Sequence, residues 1–303
     1  MPARKTSELK IEGHTLTVSS LDKILYPSAG FTKGDVIAYY IGIGPVLLPH
    51  LKSRPITLKR YPDGVGKFFF YEKSCPPYRP RWVSTAKVFS KRRGGDMDYC
   101  VVNNLASLVW LANLADLELH TSLARAPAVA RPTMMVFDLD PGEGADILAC
   151  ARVAFWLREK LQRLKLDSFP KTSGSKGIQL YVPLNTPSVT FDYTKVASRQ
   201  IADAVAADHP DAVVTNMLKT LRKKKVLIDW SQNDDHKTTI NVYSLRATEK
   251  PQISTPLTWP ELEKLAKRGD ADAFRFSPAD VLARVKKHGD LFEPVLKLKQ
   301  KLG

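Results

Sequence analysis

The segment Met134-Met-Val-Phe-Asp-Leu-Asp-Pro-Gly constrains the fold more than any other, because a short apolar run passes into two carboxylates one residue apart and then into a turn. An apolar run of this length bounded by Pro141-Gly142 reads as a strand from Met134 to Asp140. Residues i and i+2 of a strand face one side about 6.6 Å apart, so Asp138 and Asp140 project together at a sheet edge. Such a pair suits hard divalent cations, which prefer oxygen ligands. Beside a triphosphate it would serve two metals about 3.5–4 Å apart in an in-line displacement. The bland alternative is a turn that collects Asp, Pro and Gly for conformational reasons alone.

Strand and helix signals mix along the rest of the chain. A hairpin is expected at Leu9–Ile11 and Thr15–Val18 around Glu12-Gly13, and Thr32 caps a helix that runs toward Leu48. Strands Ile56–Tyr61 and Phe68–Tyr71 flank a Pro62-Asp-Gly turn, with two of the four rings Phe68 to Tyr71 expected to be buried. A basic loop is read from Arg79 to Arg93, and Asn103 or Asn104 caps a helix bearing Leu105, Leu108, Val109 and Ala112. In the second half a helix is expected over 145–164, a strand over 177–182, a helix over 193–207, and strands at Val226–Asp229 and Thr238–Leu245. Thr258 and Ser277 start the late helices, and Gly289 stops the second. The pattern is α+β, with mixed, partly antiparallel sheets flanked by helices.

With 46 Lys+Arg against 31 Asp+Glu, the net charge of +15 points to a polyanionic partner. The apolar stretches around Leu108–Ala112 and Val36–Leu48 fall short of the roughly 18 residues a membrane span needs. The polar N-terminus carries no secretory h-region, so a cytoplasmic protein is expected. Cys75, Cys100 and Cys150 are odd in number without CxxC spacing, which reads as three buried thiols rather than a disulfide framework or a zinc site. No histidine has metal-ligand spacing to another ligand residue. No repeat or linker is visible, so one compact unit is expected, and the lack of a long amphipathic seam favours a monomer.

Further signals surround the carboxylate pair. Lys171-Thr-Ser-Gly-Ser-Lys-Gly is a small-residue turn whose amides could form an anion nest, with the hydroxyls of Ser173 and Ser175 and the charge of Lys176 beside it. Asp229 ends another apolar strand and offers a third carboxylate, while Lys237 and Arg246 bring cations near it. Strand alternation puts Leu117 and Leu119 toward a core and Glu118, His120 and Ser122 on the opposite face. Basic clusters at 79–81, 87–93, 219–225 (with Arg222) and 297–301 suit nucleic acid, the first two beside Phe68 to Tyr71 and Trp82.

Taken in order, Phe137-Asp-Leu-Asp-Pro, Ser173-Gly-Ser-Lys-Gly and Ile228-Asp-Trp-Ser-Gln-Asn, followed by Lys237-Thr-Thr and Tyr243-Ser-Leu-Arg, resemble one family. It is the polymerase domain of bacterial ligase D, the archaeo-eukaryotic primase-type polymerase of non-homologous end joining. The resemblance extends from Asp22-Lys-Ile-Leu-Tyr-Pro to the C-terminal helices. It implies a single primase-type polymerase domain over 1–303, with an N-terminal lobe (1–130) and a metal-binding catalytic lobe (131–303) around a primase-polymerase-like core. By the resemblance Asp138, Asp140 and Asp229 bind two catalytic cations, manganese first and magnesium as the alternative. By the same resemblance Ser173, Lys176, His120 and Arg246 hold the triphosphate of an incoming NTP or dNTP, and Lys59 and Lys237 contact the nucleotide. Lys23 and Lys33 grip a downstream 5′-phosphate, and Phe70 and Tyr71 stack on the template. The sequence departs from the family in Arg222-Lys-Lys-Lys-Val, where the resemblance implies a glycine near Lys224, and at Thr121-Ser122 after His120, where it implies a Pro-Trp-like pair.

The implied activity is templated addition of nucleotides, with ribonucleotides preferred, to a 3′-OH in gaps or at broken ends carrying a 5′-phosphate. Ku and an ATP-dependent DNA ligase are the implied partners, in a bacterial cytoplasm at the nucleoid. A metal-dependent phosphoesterase or nuclease and a non-catalytic DNA-end-binding scaffold are the alternatives.

Overall fold

The computed structural model describes residues 6–90 and 93–302, so Lys91 and Arg92 of the basic cluster lie outside the described residues. Two sheets organise the chain. The first has the order Thr239–Ile240, Asp116–Thr121, Pro55–Arg60, Gly95–Val101 and Ser84–Ser90, with Phe70–Glu72 also paired to Pro55–Arg60. All of its pairings are antiparallel. The second has the order Phe169–Thr172, Ile178–Pro183, Met134–Pro141, Val226–Asp229 and Val213–Val214, antiparallel except for the last pair. Helices flank both sheets, giving the expected α+β architecture.

Local chemistry explains where the helices begin. Thr32 caps Lys33–Leu51 through a capping box: the Asp35 amide donates to Thr32 Oγ1, and the Thr32 amide donates to Asp35 Oδ2 at 2.7 Å. Ser277 forms a second capping box with Asp280, and Asn104, Asp146, Thr190 and Thr258 each accept a hydrogen bond from an amide in the first turn of the helix that follows. Helices Ile147–Arg163 and Phe191–Asp208 cover one face of the second sheet, where Phe137, Leu139, Leu157 and Ile178 are fully buried. Each large side chain so buried stabilises the fold by about 1.5–3 kcal/mol.

Four expectations are corrected. Cys75 and Cys100 form a disulfide, with Cα atoms 4.7 Å apart, and only Cys150 is a free buried thiol. The two residues are 25 apart in sequence and meet because the Gly95–Val101 strand returns past the Cys75 loop, which spacing alone does not reveal. The basic stretch read as loop contains the strand Ser84–Ser90, paired residue for residue with Gly95–Val101. The expected strand from Thr238 to Leu245 is broken into Thr239–Ile240 and Leu245–Arg246, because Tyr243 adopts a left-handed φ of 63° that no strand continues through. The strand at the aromatic run covers only Phe70–Glu72, and none of Phe68, Phe69, Phe70 and Tyr71 is buried.

Candidate active site

The strand Met134–Pro141 divides its side chains between two cores. Met135, Phe137 and Leu139 pack against the helices, whereas Met134 and Val136 pack with the core of the first sheet. Asp138 and Asp140 continue the second of these faces, so the carboxylates leave the strand on the side toward the first sheet. Asp229 pairs directly with Asp138 in the antiparallel register, which puts all three carboxylates on one face.

Burial and like charge dominate this group. Burial pushes the Asp138 carboxyl up to about 7, with Asp140 and Asp229 adding to the rise and a Gln179 hydrogen bond and the Lys171 charge opposing it. The Asp140 carboxyl is raised by burial and then by Asp229, against the pull of Arg222 and Arg246. Asp138 Oδ1 is buried with no hydrogen-bond partner. Oxygen-only donors, an unpartnered buried carboxylate oxygen and mutual repulsion together fit a hard divalent cation. Asp229 is fixed in place: its Oδ1 accepts from the Ser231 amide at 2.9 Å and hydroxyl at 2.6 Å, and its Oδ2 accepts from Gln232 at 3.0 Å. Lys237 donates to the same Ser231 hydroxyl.

Two supports went unassigned in the sequence. Asn233 is fully buried, accepts from the Val136 amide at 2.8 Å and donates to the Val136 carbonyl at 2.7 Å, prolonging the strand pairing past Asp229. Lys171 is fully buried and donates to Gln179 Oε1 and Ser254 Oγ, both at 2.6 Å. Burial pushes its ammonium well below the ordinary lysine value, opposed by the Asp138 charge.

A second group of side chains forms around Glu118, which sequence reading had left on a polar strand face. Lys59 is its register partner on the neighbouring strand, with Nζ 3.0 Å from Glu118 Oε2 and within 5.0–5.6 Å of the rings of Phe69, Tyr61 and Tyr71. His120 Nε2 lies 2.9 Å from the same oxygen, and Arg246 Nε lies 3.3 Å from Oε1. Burial would raise the Glu118 carboxyl, yet the His120 hydrogen bond and the Arg246 and Lys59 charges outweigh it and hold the group below the usual carboxylate range. Arg246 also donates to the Ser173 carbonyl at 2.6 Å, so it ties this group to the Ser/Gly turn.

In that turn Ser173 Oγ accepts from the Ser175 and Gly177 amides, and Lys176 is exposed. A Cβ on Gly177 would sit 2.1 Å from the Leu139 carbonyl, so only glycine lets the turn press against the strand between Asp138 and Asp140. Arg222 donates to the Met217 carbonyl from the loop that crosses Gly142.

The remaining predicted residues lie apart from these groups. The Lys33 amide donates to the Lys23 carbonyl at 2.8 Å, which brings the two lysines to adjacent backbone positions. Lys23 Nζ pairs with exposed Asp63, whereas Lys33 is 6% exposed and donates to the Ser19 carbonyl. Tyr71, Phe68 and Phe69 are exposed rings, while Phe70 is half-buried under the Arg60 guanidinium. Asp234, Asp235 and His236 bring ligand atoms within 4.8 Å of one another, a metal-sized group that the sequence reading had not expected, and Asp234 is already paired with Lys195.

A sequence profile described as the LigD primase-polymerase domain matches residues 32–292. The chain belongs to this family. It is 40% identical over 288 residues to the multifunctional non-homologous end joining DNA repair protein LigD of Mycobacterium tuberculosis, covering 92% of this chain and 36% of that protein. It is 33% identical over 274 residues to the bifunctional non-homologous end joining protein LigD of Bacillus subtilis, covering 90% of this chain and 43% of that one. The chain thus spans about a third of the mycobacterial LigD it matches. The solved polymerase domain of Mycobacterium tuberculosis ligase D, in complex with DNA, superposes with a TM-score of 0.86 at 38% identity, covering 94% of this chain and 99% of that one. Within the LigD primase-polymerase family, Glu118 and Asn233 were hidden in this sequence for one reason. Their partners come from segments that only the sheet order brings together.

Proposed function

We propose that this chain is a divalent-cation-dependent nucleotidyltransferase that adds nucleotides, ribonucleotides preferred, to a 3′-OH opposite a template at gaps and broken DNA ends. The observation that carries the reading is the pairing of one face bearing Asp138, Asp140 and Asp229 with a cation group of Lys59, His120 and Arg246, joined through Arg246 to the Ser173 turn. The three aspartates are the residues to hold the cations, manganese first and magnesium second. A bound cation pair supplies Lewis-acid charge at the attacking hydroxyl and at the departing pyrophosphate. Lys59, Arg246, Lys176 and His120 would bind and orient the triphosphate, and that positioning is most of what phosphoryl-type transfer asks of a protein. Lys237, through Ser231, steadies Asp229 in this reading.

DNA binding draws support from the net charge of +15 and the exposed rings Phe68, Phe69 and Tyr71, and from the DNA complex of the mycobacterial relative. Tyr71 would stack on the template, with Phe70 beneath Arg60 supporting the neighbouring backbone and Arg222 serving the strand from its loop. Lys23 and Lys33, on paired segments, would take a downstream 5′-phosphate, with Lys33 exchanging the Ser19 carbonyl for it. The non-homologous end joining setting is taken from the relatives' names, and Ku and an ATP-dependent ligase as partners from the resemblance. A single domain over 1–303, acting as a monomer at the bacterial nucleoid, completes the reading. Among the described residues no helix is long and apolar enough to cross a membrane.

The test is extension of a labelled primer across a short gap with and without a 5′-phosphate, with rNTPs or dNTPs and manganese. Templated addition, stronger with rNTPs and weaker without the 5′-phosphate, is expected. Shortening of the strand without nucleotide would identify a nuclease, and binding without extension under any cation a scaffold.

A further inference from the structure

We propose that Glu118 is a positioning residue that sets the tautomer of His120, so that binding of a nucleoside triphosphate takes up one proton at His120 Nδ1. This rests on the reading of Lys59, His120 and Arg246 as the triphosphate group.

Glu118 is 2% exposed, on a strand anchored in the core by Leu117 and Leu119. Its Oε2 meets His120 Nε2 at 2.9 Å and Lys59 Nζ at 3.0 Å, and its Oε1 accepts from the Ala247 amide at 2.9 Å beside Arg246. An ionised carboxylate only accepts hydrogen bonds, so His120 Nε2 carries the hydrogen. In the neutral ring Nδ1 is then a bare acceptor, and a phosphate oxygen is an acceptor too. His120 can therefore donate to a triphosphate only as imidazolium, with Nε2–H still on Glu118 and a solvent proton added at Nδ1. No other bond is made or broken.

The charged and titratable groups facing the ring are Glu118 on its own strand, Lys59 across the ladder, Arg246 beyond it and Tyr71, whose ring lies edge-on at 6.1 Å. Thr239–Ile240, paired on the other side, brings no ionisable side chain. Burial, then the Arg246 and Lys59 charges, lower the imidazole below its ordinary value while Glu118 opposes them, which leaves it neutral in the unliganded protein. A polyanion reverses that balance by drawing charge from both cations and by favouring the imidazolium directly.

Calorimetry of the full chain with an rNTP and manganese, without DNA, tests this at about pH 8, above the range in which a terminal phosphate itself titrates. Repeating the titration in two buffers of different ionisation heat gives protons taken up per nucleotide bound. The wild type is expected to approach one proton, and H120N to fall near zero. E118Q, which can turn its amide NH2 toward the ring and so free Nε2 to accept, is expected to lose more than half of the uptake. Nucleotide affinity of the wild type should weaken with rising pH by up to about tenfold per unit, and that slope should flatten in H120N. Nucleotide binding without proton uptake in the wild type, or full uptake in H120N, overturns the proposal, and both measurements stand even if E118Q fails to fold. Absence of nucleotide binding in the wild type overturns the polymerase reading as well, a result distinct from binding without uptake.

Discussion

Asp138 and Asp229 face each other across the antiparallel ladder, and Asp140 follows Asp138 on the same face. Three carboxylates held this way repel one another, with both Asp138 and Asp140 half-buried and Asp138 Oδ1 out of water without a partner, so the metal-free fold carries a cost that a bound cation removes. Replacing Asp140 with Asn keeps shape and polarity but deletes one charge. The variant is expected to melt higher than the wild type in chelator, by on the order of 1–3 kcal/mol, and to lose the thermal shift that manganese gives the wild type. It should also lose nucleotide addition. Melting curves with and without manganese check this, and a variant less stable than the wild type in chelator would remove the electrostatic argument.

Asn233 holds Asp229 by mimicking one more rung of backbone pairing with Val136. In Asn233→Ala, the Val136 amide and carbonyl stay buried without partners, at a cost of about 2–4 kcal/mol for the two bonds. The Asp229 turn also loses its anchor. Urea unfolding should show the stability loss, and manganese affinity measured on the folded variant should drop while nucleotide affinity, which the proposed function assigns to the Glu118 group, is retained.

The carboxylate pair and the helix starts were legible because each is written within a few consecutive residues. Asp138 and Asp140 need only the two-residue period of a strand, and Thr32, Thr258 and Ser277 need only an amide three residues on. Glu118 was not legible, because a carboxylate two residues from a histidine looks the same on a wet strand face as in a buried site. What distinguishes the two is the arrival of Lys59 and Arg246, 59 residues before and 128 residues after it. The strand Ser84–Ser90 was missed because it lies between the basic residues Arg79, Arg81 and Lys91 to Arg93, which drew the whole stretch into one basic loop, although every residue of the strand finds a partner across the hairpin. The break at Tyr243 was missed for the opposite reason. Its neighbours have strand-forming side chains, and the tyrosine is held in the left-handed region by tertiary bonds, its amide donating to Ser254 and its hydroxyl to Asp290.

Asp290 collects hydrogen bonds from His50 Nε2 at 2.8 Å, Tyr243 OH at 2.7 Å and the Phe292 amide at 2.9 Å. Burial would raise this carboxyl, but the His50 bond and charge, followed by the Tyr243 and Phe292 bonds, hold it below the ordinary value. A depressed carboxyl binds fewer protons folded than unfolded, so its stabilisation is complete above the unfolded value of about 4 and is lost as pH falls through the folded one. Asp290→Asn is expected to cost about 1–3 kcal/mol near neutrality. The difference from the wild type should shrink below about pH 4. Unfolding titrations at several pH values check both parts, and a difference independent of pH would assign the effect to shape rather than charge.

Lys224 is a non-glycine residue whose φ of 58° lies in the left-handed region. The strain has a structural cause: the Lys224 amide donates to the Glu143 carbonyl and the Gly142 amide donates to the Lys225 carbonyl, so the two loops are laced together at this turn. A side chain in that conformation costs roughly 1–2 kcal/mol, against about 1 kcal/mol of extra chain entropy that glycine loses on folding. Lys224→Gly is therefore expected to leave stability unchanged within about 1 kcal/mol, while Lys224→Val, β-branched in the same backbone, should destabilise by a further 1–2 kcal/mol or so. Because the loop carries Arg222 beside the Asp140 carboxylate, the valine variant should also lose activity beyond what its stability predicts. Thermal melts and primer extension on the two variants separate these effects, and a valine variant as stable as the wild type would show that the loop relaxes out of the left-handed turn.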